Sequence, residues 1–428
     1  MLHPAGIVDL ALPWEARCCL ATSTRKRYLI IGNGASGTYA AETIRKTDAE
    51  GEITLLTNEP YPLYNRVALP PFLRDEAKRE KVFLRTVEQH EQKGIKLLVN
   101  TLITSLDTES RVATAADGQT FPYERLLLAT GGRPNPLPAP GATPEVHGIY
   151  NFQYWDEAAA IRERMNTAKH GVVVGGSYIA YELAEAFRHH GLAVTWLIRG
   201  PRFLRRVLDE DGGALVDDIA RAAGVDIHYG GEVKEVHSRD GQVCGVTTTT
   251  DEYIQCDMVG VGLGVKMNMD FLSGTPVETH NGILTTEYLE TNVQDIFAAG
   301  DVAEFFDVSI GAHNQMGTWN NSVSHGRIAG ANMLGDRKFY NDVPMYSTGL
   351  FDSRIRVMGL TPENVPDLES WEQLDAPNRN YKRLFFKEGR LVGGCLIGDI
   401  KMQTRIIQMI QSRQVTPESE RGKLLLAA

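Results

Sequence analysis

The chain has 428 residues, 43% of them hydrophobic, with a formal net charge of −10 and five cysteines. Such a length suits about two or three domains with sizeable cores, and the acidic balance argues against nucleic acid as the main partner. No apolar run approaches the roughly 20 residues that a bilayer span needs, and residues 1–25 lack the basic start of a secretory signal, so they read as a poorly ordered extension of a cytoplasmic protein.

In chain order, the first element is the apolar run Tyr28-Leu29-Ile30-Ile31, expected as a buried parallel strand. Gly32-Asn33-Gly34-Ala35-Ser36-Gly37 follows it. There Gly32 permits a tight turn, Gly34 lets the backbone approach a pyrophosphate, and Gly37 lets a helix over Thr38 to Lys46 pack on the strand. The helix N-terminus then faces phosphate. A second strand, Ile53 to Leu56, leads to Glu59, placed to bond a ribose hydroxyl. Leu126-Leu127-Leu128-Ala129-Thr130-Gly131-Gly132 is a second Gly-rich close of the same unit, and Pro134 to Pro144 reads as a linker.

A second fingerprint lies at Val172-Val173-Val174-Gly175-Gly176-Ser177-Tyr178-Ile179-Ala180, where Ser177 and Ala180 replace two glycines with small residues. Its second strand, Ala193 to Ile198, ends without the acid of an NAD site. Arg199 follows instead, with Arg202, Arg205 and Arg206 close behind. Guanidinium groups without a carboxylate suit a 2′-phosphate, so NADPH is expected over NADH, with Arg199 and Arg205 as the contacts. Gly264 is taken as a further cofactor contact of this unit.

Thr291 to Asp301, ending Ala298-Ala299-Gly300-Asp301, is a third signature, of flavin type. Asp301 after the small-residue turn at Gly300 is placed to bond a ribityl or phosphate group. Two nucleotide sites in one chain imply that electrons pass between two cofactors. The cysteines Cys18, Cys19, Cys244, Cys256 and Cys395 form no CxxC or CxxxxC pair, so no redox dithiol and no metal or iron–sulfur site is expected. His313 and His325 read as packing residues.

The expected fold class is α/β, with two Rossmann-like dinucleotide-binding domains, one for FAD and one for NAD(P), plus a small α+β C-terminal domain. The FAD domain takes residues 26–150 and 275–340, the NAD(P) domain 151–274, and the C-terminal interface domain 341–428. In the last, strands Lys382 to Lys387 and Leu391 to Ile397 flank a Glu388-Gly389 turn, and a helix follows from Met402 to Gln411.

With these motifs in this order, the chain resembles the FAD-dependent pyridine nucleotide–disulfide oxidoreductase superfamily. It is most similar to the branch without a redox disulfide, the ferredoxin and rubredoxin reductases and the flavin module of NAD(P)H nitrite reductases. The resemblance covers Tyr28 to Gln411 and implies FAD in the first fold and nicotinamide in the second. Glu59-Pro60-Tyr61-Pro62-Leu63-Tyr64-Asn65-Arg66 is similar to a segment that lies against the flavin in ferredoxin reductases. That segment usually continues to Ser-Lys; here Pro70-Pro71 removes the lysine expected beside the ring. Trp319-Asn320-Asn321-Ser322 resembles a stretch whose tryptophan lies near the isoalloxazine, the one side chain singled out for a catalytic role beyond the flavin itself. Tyr346-Ser347 and Gly359 resemble the reductase interface domain, and Tyr381 to Asp399 the nitrite reductase module; the siroheme and iron–sulfur portions of such an enzyme are not in this sequence.

The resemblance implies hydride transfer from NADPH to FAD, then electron transfer to a small iron–sulfur or rubredoxin-like protein. Arg74, Lys78, Arg79, Lys81 and Arg85, or Arg354 with Arg356, are candidates for a basic rim that steers an acidic partner. A small acceptor such as oxygen or a quinone, a redox-switched nucleotide-binding interaction protein, and a homodimer remain open.

Overall fold

The computed structural model describes residues 25–308 and 310–426. Cys18, Cys19 and all of the expected extension except Arg25 lie outside them. Five parallel strands form the first sheet, in the order Ile296–Ala298, Arg125–Leu128, Arg27–Ile31, Glu52–Leu56, Ile95–Leu98. Both faces of this sheet are covered, which is why its strands are predominantly apolar. Tyr28 and Ile30 pack toward helices Ala35–Thr47 and Trp319–Met333 with Ala40, Ile44, Ala329 and Met333. Leu29 and Ile31 pack on the other face with Ile103, Leu106 and Leu126, against a three-stranded meander over residues 103–122. Each fully buried Leu or Ile side chain contributes about 1.5–3 kcal/mol.

The strand order reverses between Arg27–Ile31 and Arg125–Leu128, and a crevice opens beyond the carboxyl ends of strands at such a point. The second sheet repeats the plan: Val225–Tyr229, Ala193–Ile198, His170–Val174, Met258–Val261, Ile149–Asn151, all parallel. The last of these strands spans residue 150, so the chain has already joined the second sheet where the boundary between the two units was expected. A meander of Val233–Arg239, Gln242–Thr248 and Tyr253–Gln255 again covers one face.

The C-terminal unit is an antiparallel sheet in the order Met345–Leu350, Ser353–Gly359, Arg390–Ile397, Asn380–Lys387, Glu369–Asp375. The expected hairpin is there: Glu388 and Gly389 both have positive φ (+50° and +74°), as a two-residue type I′ connection requires. Helix Gln403–Ser412 packs on one face through Ile406 and Ile410. The other face shares a core with the second nucleotide unit, where Leu350, Ile355, Tyr381 and Phe385 join Tyr181, Phe187, Trp196 and Phe203. That shared core fixes the C-terminal sheet against the helix Tyr178–His189, with consequences for the site.

Cys256 and Cys395 are buried, and burial pushes both thiols up to about 12. Cys244 is part-buried and also unpaired. Cys256 and Cys395, held this far from ionisation, are inert packing groups.

Candidate cofactor site

The first glycine loop ends at a cleft of about 520 Å³ lined by Gly32, Gly34, Ala35, Ser36, Glu59, Arg66, Ala129, Thr130, Gly131, Asp301 and Trp319. Gly32 has φ +114°, and a Cβ on it would stand 2.0 Å from the Ala129 carbonyl oxygen. A Cβ on Gly37 would stand 1.8 Å from the Gly32 oxygen, so Gly37 works behind the cleft, seating the helix on the strand. Gly34 is different: a Cβ there would find nothing nearer than Arg66 Nη1 at 3.9 Å. The glycine keeps space open in front of the helix. Gly34 is also the N-cap of helix Ala35–Thr47 and offers its first-turn N–H groups no side-chain acceptor. An open volume beside uncapped N–H groups and the positive end of a helix dipole suits a phosphate.

Charged residues furnish the rest of this cleft. Arg66 donates from Nη2 to Glu59 Oε1 at 2.7 Å, and Glu59 Oε2 accepts from Tyr64 Oη at 2.6 Å. The guanidinium lies over the rings of Tyr64 and Tyr154 at 4.9 and 5.7 Å, while its buried Nε has no partner in the protein. Across the cleft, Asp301 Oδ1 accepts from Ser322 Oγ at 2.9 Å, and burial raises its carboxyl above the usual range. Gly300 stands behind it with φ +79°; a Cβ there would reach Ser36 Oγ at 2.5 Å. An orphaned guanidinium nitrogen, a desolvated carboxylate and an uncapped helix end are the donors and acceptors that the ribityl chain and phosphates of FAD would satisfy. The residues fit that cofactor.

Trp319 opens helix Trp319–Met333, whose N-cap Thr318 accepts from Asn321 N at 3.3 Å, and it is partly buried at the cleft wall. Of the two histidines, only His325 behaves as a packing residue. His325 is fully buried against Phe305 and Tyr340, accepts from Gly300 N at 3.3 Å, and is driven down to about 3 by burial. His313 is exposed and lines neither cleft.

A second cleft of about 470 Å³ adjoins the first and is lined by Ser177, Tyr178, Ile179, Gly264, Met316 and Val357, among others. Ser177 caps helix Tyr178–His189, accepting from Ala180 N at 3.5 Å, and its Oγ donates to the Gly262 oxygen at 2.8 Å. Gly175 and Gly176 lie behind this cleft; a Cβ on Gly175 would stand 2.2 Å from the Gly262 oxygen, and one on Gly176 3.2 Å from Ile198 Cγ2. Arg199 follows the strand end at Ile198, is 73% exposed, and lies 3.4 Å from Glu232. Arg205 lines neither of these clefts but a separate one of about 520 Å³, together with Arg202, Arg206 and Arg383.

Arg66, Pro70, Gln153, Ile179, Glu182 and Tyr346 belong to both adjoining clefts, so the two volumes share a wall. Sequence reading passed over Glu182 as a site residue. Its helical position four residues after Tyr178 places both on one face, the only signal the sequence offered. Gln153, which donates from Nε2 to the Gly132 oxygen at 2.6 Å, and Arg356, which lines the first cleft, were likewise not marked as cofactor contacts. Among the described residues no cluster of His, Cys, Asp or Glu is arranged to hold a metal ion, and no helix is long and apolar enough to cross a membrane.

Comparison with known families matches residues 26–326 to "Pyridine nucleotide-disulphide oxidoreductase" and residues 342–414 to "Rubredoxin NAD+ reductase C-terminal domain". The chain belongs to the pyridine nucleotide–disulphide oxidoreductase family. It is an FAD-dependent NAD(P)H oxidoreductase of the branch that lacks a redox disulfide. It is 30% identical to rhodocoxin reductase of Rhodococcus erythropolis over 78% of either chain. Identity to an NADH-rubredoxin oxidoreductase of Clostridium acetobutylicum is 25%, covering 90% of this chain and 94% of that protein. Among solved structures, a ferredoxin reductase from Rhodopseudomonas palustris superposes with a TM-score of 0.84 at 27% identity, covering 92% of this chain and 96% of that one.

Proposed function

We propose that the protein is an NADPH-dependent reductase that feeds electrons through FAD to a small acidic iron–sulfur or rubredoxin-like protein. The observation that carries this reading is the shared wall: a phosphate-accepting cleft and a coenzyme cleft meet across Arg66, Pro70, Ile179, Glu182 and Tyr346. FAD in the first cleft supplies hydride acceptance from the nicotinamide and single-electron release. Around it the protein binds, orients and excludes water. Gly32, Gly34, Ala35, Ser36 and Gly37 shape the pyrophosphate cradle, and Glu59 with Arg66 holds the ribose end. Asp301 anchors the ribityl side, while Ala129, Thr130 and Gly131 close the floor. Ser177, Tyr178, Ile179 and Gly264 line the nicotinamide's approach.

For coenzyme choice, the strand end that carries a ribose-binding acid in NAD sites carries Arg199 here. Arg205 adds a second guanidinium in a cleft with Arg202 and Arg206. This supports NADPH.

The partner reading draws on relatives named for rhodocoxin and rubredoxin and on surface charge. The two sets of basic candidates differ in the structure. Arg74 is committed to Glu76 and Glu185, with only 12% of its side chain exposed, and Arg85 to Glu42. Arg79 lies over the rings of Phe83 and Trp155. Lys78 and Lys81 are exposed, as is Arg354; only Arg356 lines the flavin cleft, with its buried Nε unpartnered, and this reading takes Arg354 with Arg356 as the docking rim. The test is steady-state turnover with NADPH in the presence of an acidic ferredoxin, a rubredoxin, or oxygen alone. Salt-sensitive reduction of one of the proteins is expected, and Arg354→Glu with Arg356→Glu should slow it at least tenfold. Equal turnover with oxygen alone would overturn the protein-partner reading in favour of a small acceptor.

A further inference from the structure

One carboxyl at the meeting of the two clefts is held by the C-terminal sheet rather than by either glycine loop. Glu182 lies on helix Tyr178–His189, is 7% exposed, and lines both clefts. Its Oε1 accepts from Tyr346 Oη at 2.8 Å and from Thr348 Oγ1 at 3.0 Å, both on the first strand of the C-terminal sheet. Of the ionisable residues common to both clefts, Arg66 and Asp301 serve FAD; Glu182 and Tyr346 remain.

Among the described residues Glu182 makes no ion pair, although Arg66 and Arg356 line the same first cleft. No lysine lines either cleft, and Pro70 is part of the shared wall. Arg74, the guanidinium whose charge acts on Glu182, is engaged at 2.8 Å by Glu185, one helical turn on, and at 3.0 Å by Glu76. The other charged and ionisable groups around Glu182 are Glu59, Arg66, Tyr154, Asp301, Arg356 and Glu363 in the clefts, Tyr178, Tyr181 and Glu185 on its own helix, and Tyr346 opposite. A buried carboxyl without an ion-pair partner exchanges protons near neutrality rather than staying ionised. Burial, opposed by its two hydrogen bonds, raises Glu182 to about 7.

We propose that Glu182 is the proton acceptor for the reduced flavin, taking the N5 proton as electrons leave for one-electron carriers, with Tyr346 and Thr348 as its positioning residues. This rests on the reading of the adjoining clefts as the flavin and nicotinamide sites. The balance is simple. The coenzyme's hydride brings two electrons and one proton to N5. Two one-electron acceptors remove the two electrons, the N–H bond at N5 breaks, and its proton passes to a Glu182 carboxylate oxygen. The protonated acid then releases the proton to solvent and is ready for the next turnover. Hydride arrival needs no proton from Glu182, so the group acts in the oxidative half-reaction alone.

The test compares the holoenzyme with its Glu182→Gln and Tyr346→Phe variants, each loaded with FAD. The first readout is the flavin midpoint potential against pH. The wild type should show a change of slope between about pH 6 and 8, and Glu182→Gln a single slope throughout. The second is anaerobic stopped-flow oxidation of NADPH-reduced enzyme by ferricyanide. Glu182→Gln should slow this step about 100-fold, a larger change than it makes to reduction by NADPH. Tyr346→Phe, which keeps the carboxyl and loses one donor, should shift the slope change in pH without abolishing it. Identical slopes and equal oxidation rates in wild type and Glu182→Gln would overturn the proposal. Failure of the wild-type flavin to bleach with either coenzyme would instead overturn the reading of the clefts.

Discussion

At the first glycine loop the helix begins on Gly34, which has no side chain and leaves an open volume. At the second it begins on Ser177, whose hydroxyl accepts from Ala180 N and donates to the Gly262 oxygen. The first strand end leads to Glu59, tied to Arg66 and Tyr64; the second leads to Arg199, 73% exposed. One topology has thus been given two electrostatic characters. A loop whose N–H groups have no internal acceptor gains most from a permanently bound phosphate ligand, because only that ligand satisfies them. A loop already capped by its own serine loses less when the ligand departs, as a coenzyme that must leave after each turnover requires. On the proposed reading, tight FAD binding and exchangeable coenzyme binding would follow from a change of one side chain at each helix start and one charge at each strand end.

The largest effect should come from Asp301→Ala. It removes the buried carboxylate held by Ser322, leaving protein that purifies without a flavin absorbance band. Full flavin occupancy would remove Asp301 from the site. Next in size is the pH dependence of the flavin-free protein. Burial raises the folded Glu182 carboxyl from 4.5 to about 7, so folding binds its proton more tightly. That contribution is fully present below the unfolded value and is lost as pH rises toward 7, costing about 2–3 kcal/mol. Glu182→Gln should therefore flatten the denaturation midpoint between pH 5 and 8. Arg199→Glu with Arg205→Ala should raise the KM for NADPH about 10- to 100-fold, the loss of one or two charge-assisted hydrogen bonds, and barely move that for NADH. Equal effects on both coenzymes would remove the 2′-phosphate assignment. Gly34→Ala sharpens the comparison most cleanly. Nothing in the protein obstructs the new methyl, so the flavin-free fold should melt within a degree or two of the wild type, while FAD affinity falls about tenfold. Ser177→Ala should cost only about 0.5 kcal/mol, at the low end for a cap because its bond to Ala180 N is long.

The glycine loops were legible in the sequence because physics leaves few alternatives there. Gly32 and Gly175 take positive φ where an added Cβ would stand 2.0 and 2.2 Å from another residue's carbonyl oxygen, a position that only glycine fits. The strand Ala193–Ile198 and the C-terminal hairpin were legible from apolar runs and turn chemistry. Glu182 was not, because its meaning depends on Tyr346, which lies 164 residues later on a different sheet. The join at Ile149–Asn151 was hidden for a similar reason: a three-residue strand has no periodicity, and only its pairing with Met258–Val261 assigns it to the second sheet. The basic candidates could not be ranked by composition either, since Arg74 and Arg356 differ only in which carboxylates folding brings to them.

The most direct measurement is anaerobic stopped-flow absorbance at the flavin band, mixing the purified protein separately with NADPH and NADH. Rapid bleaching by NADPH, with NADH at least tenfold slower at equal concentration, is the expected result; it would tie the uncapped first loop to FAD and the arginine-ended second unit to the coenzyme. A flavin that stays bound but is reduced by neither would contradict the account, because two clefts with a common wall would then be carrying no hydride between them.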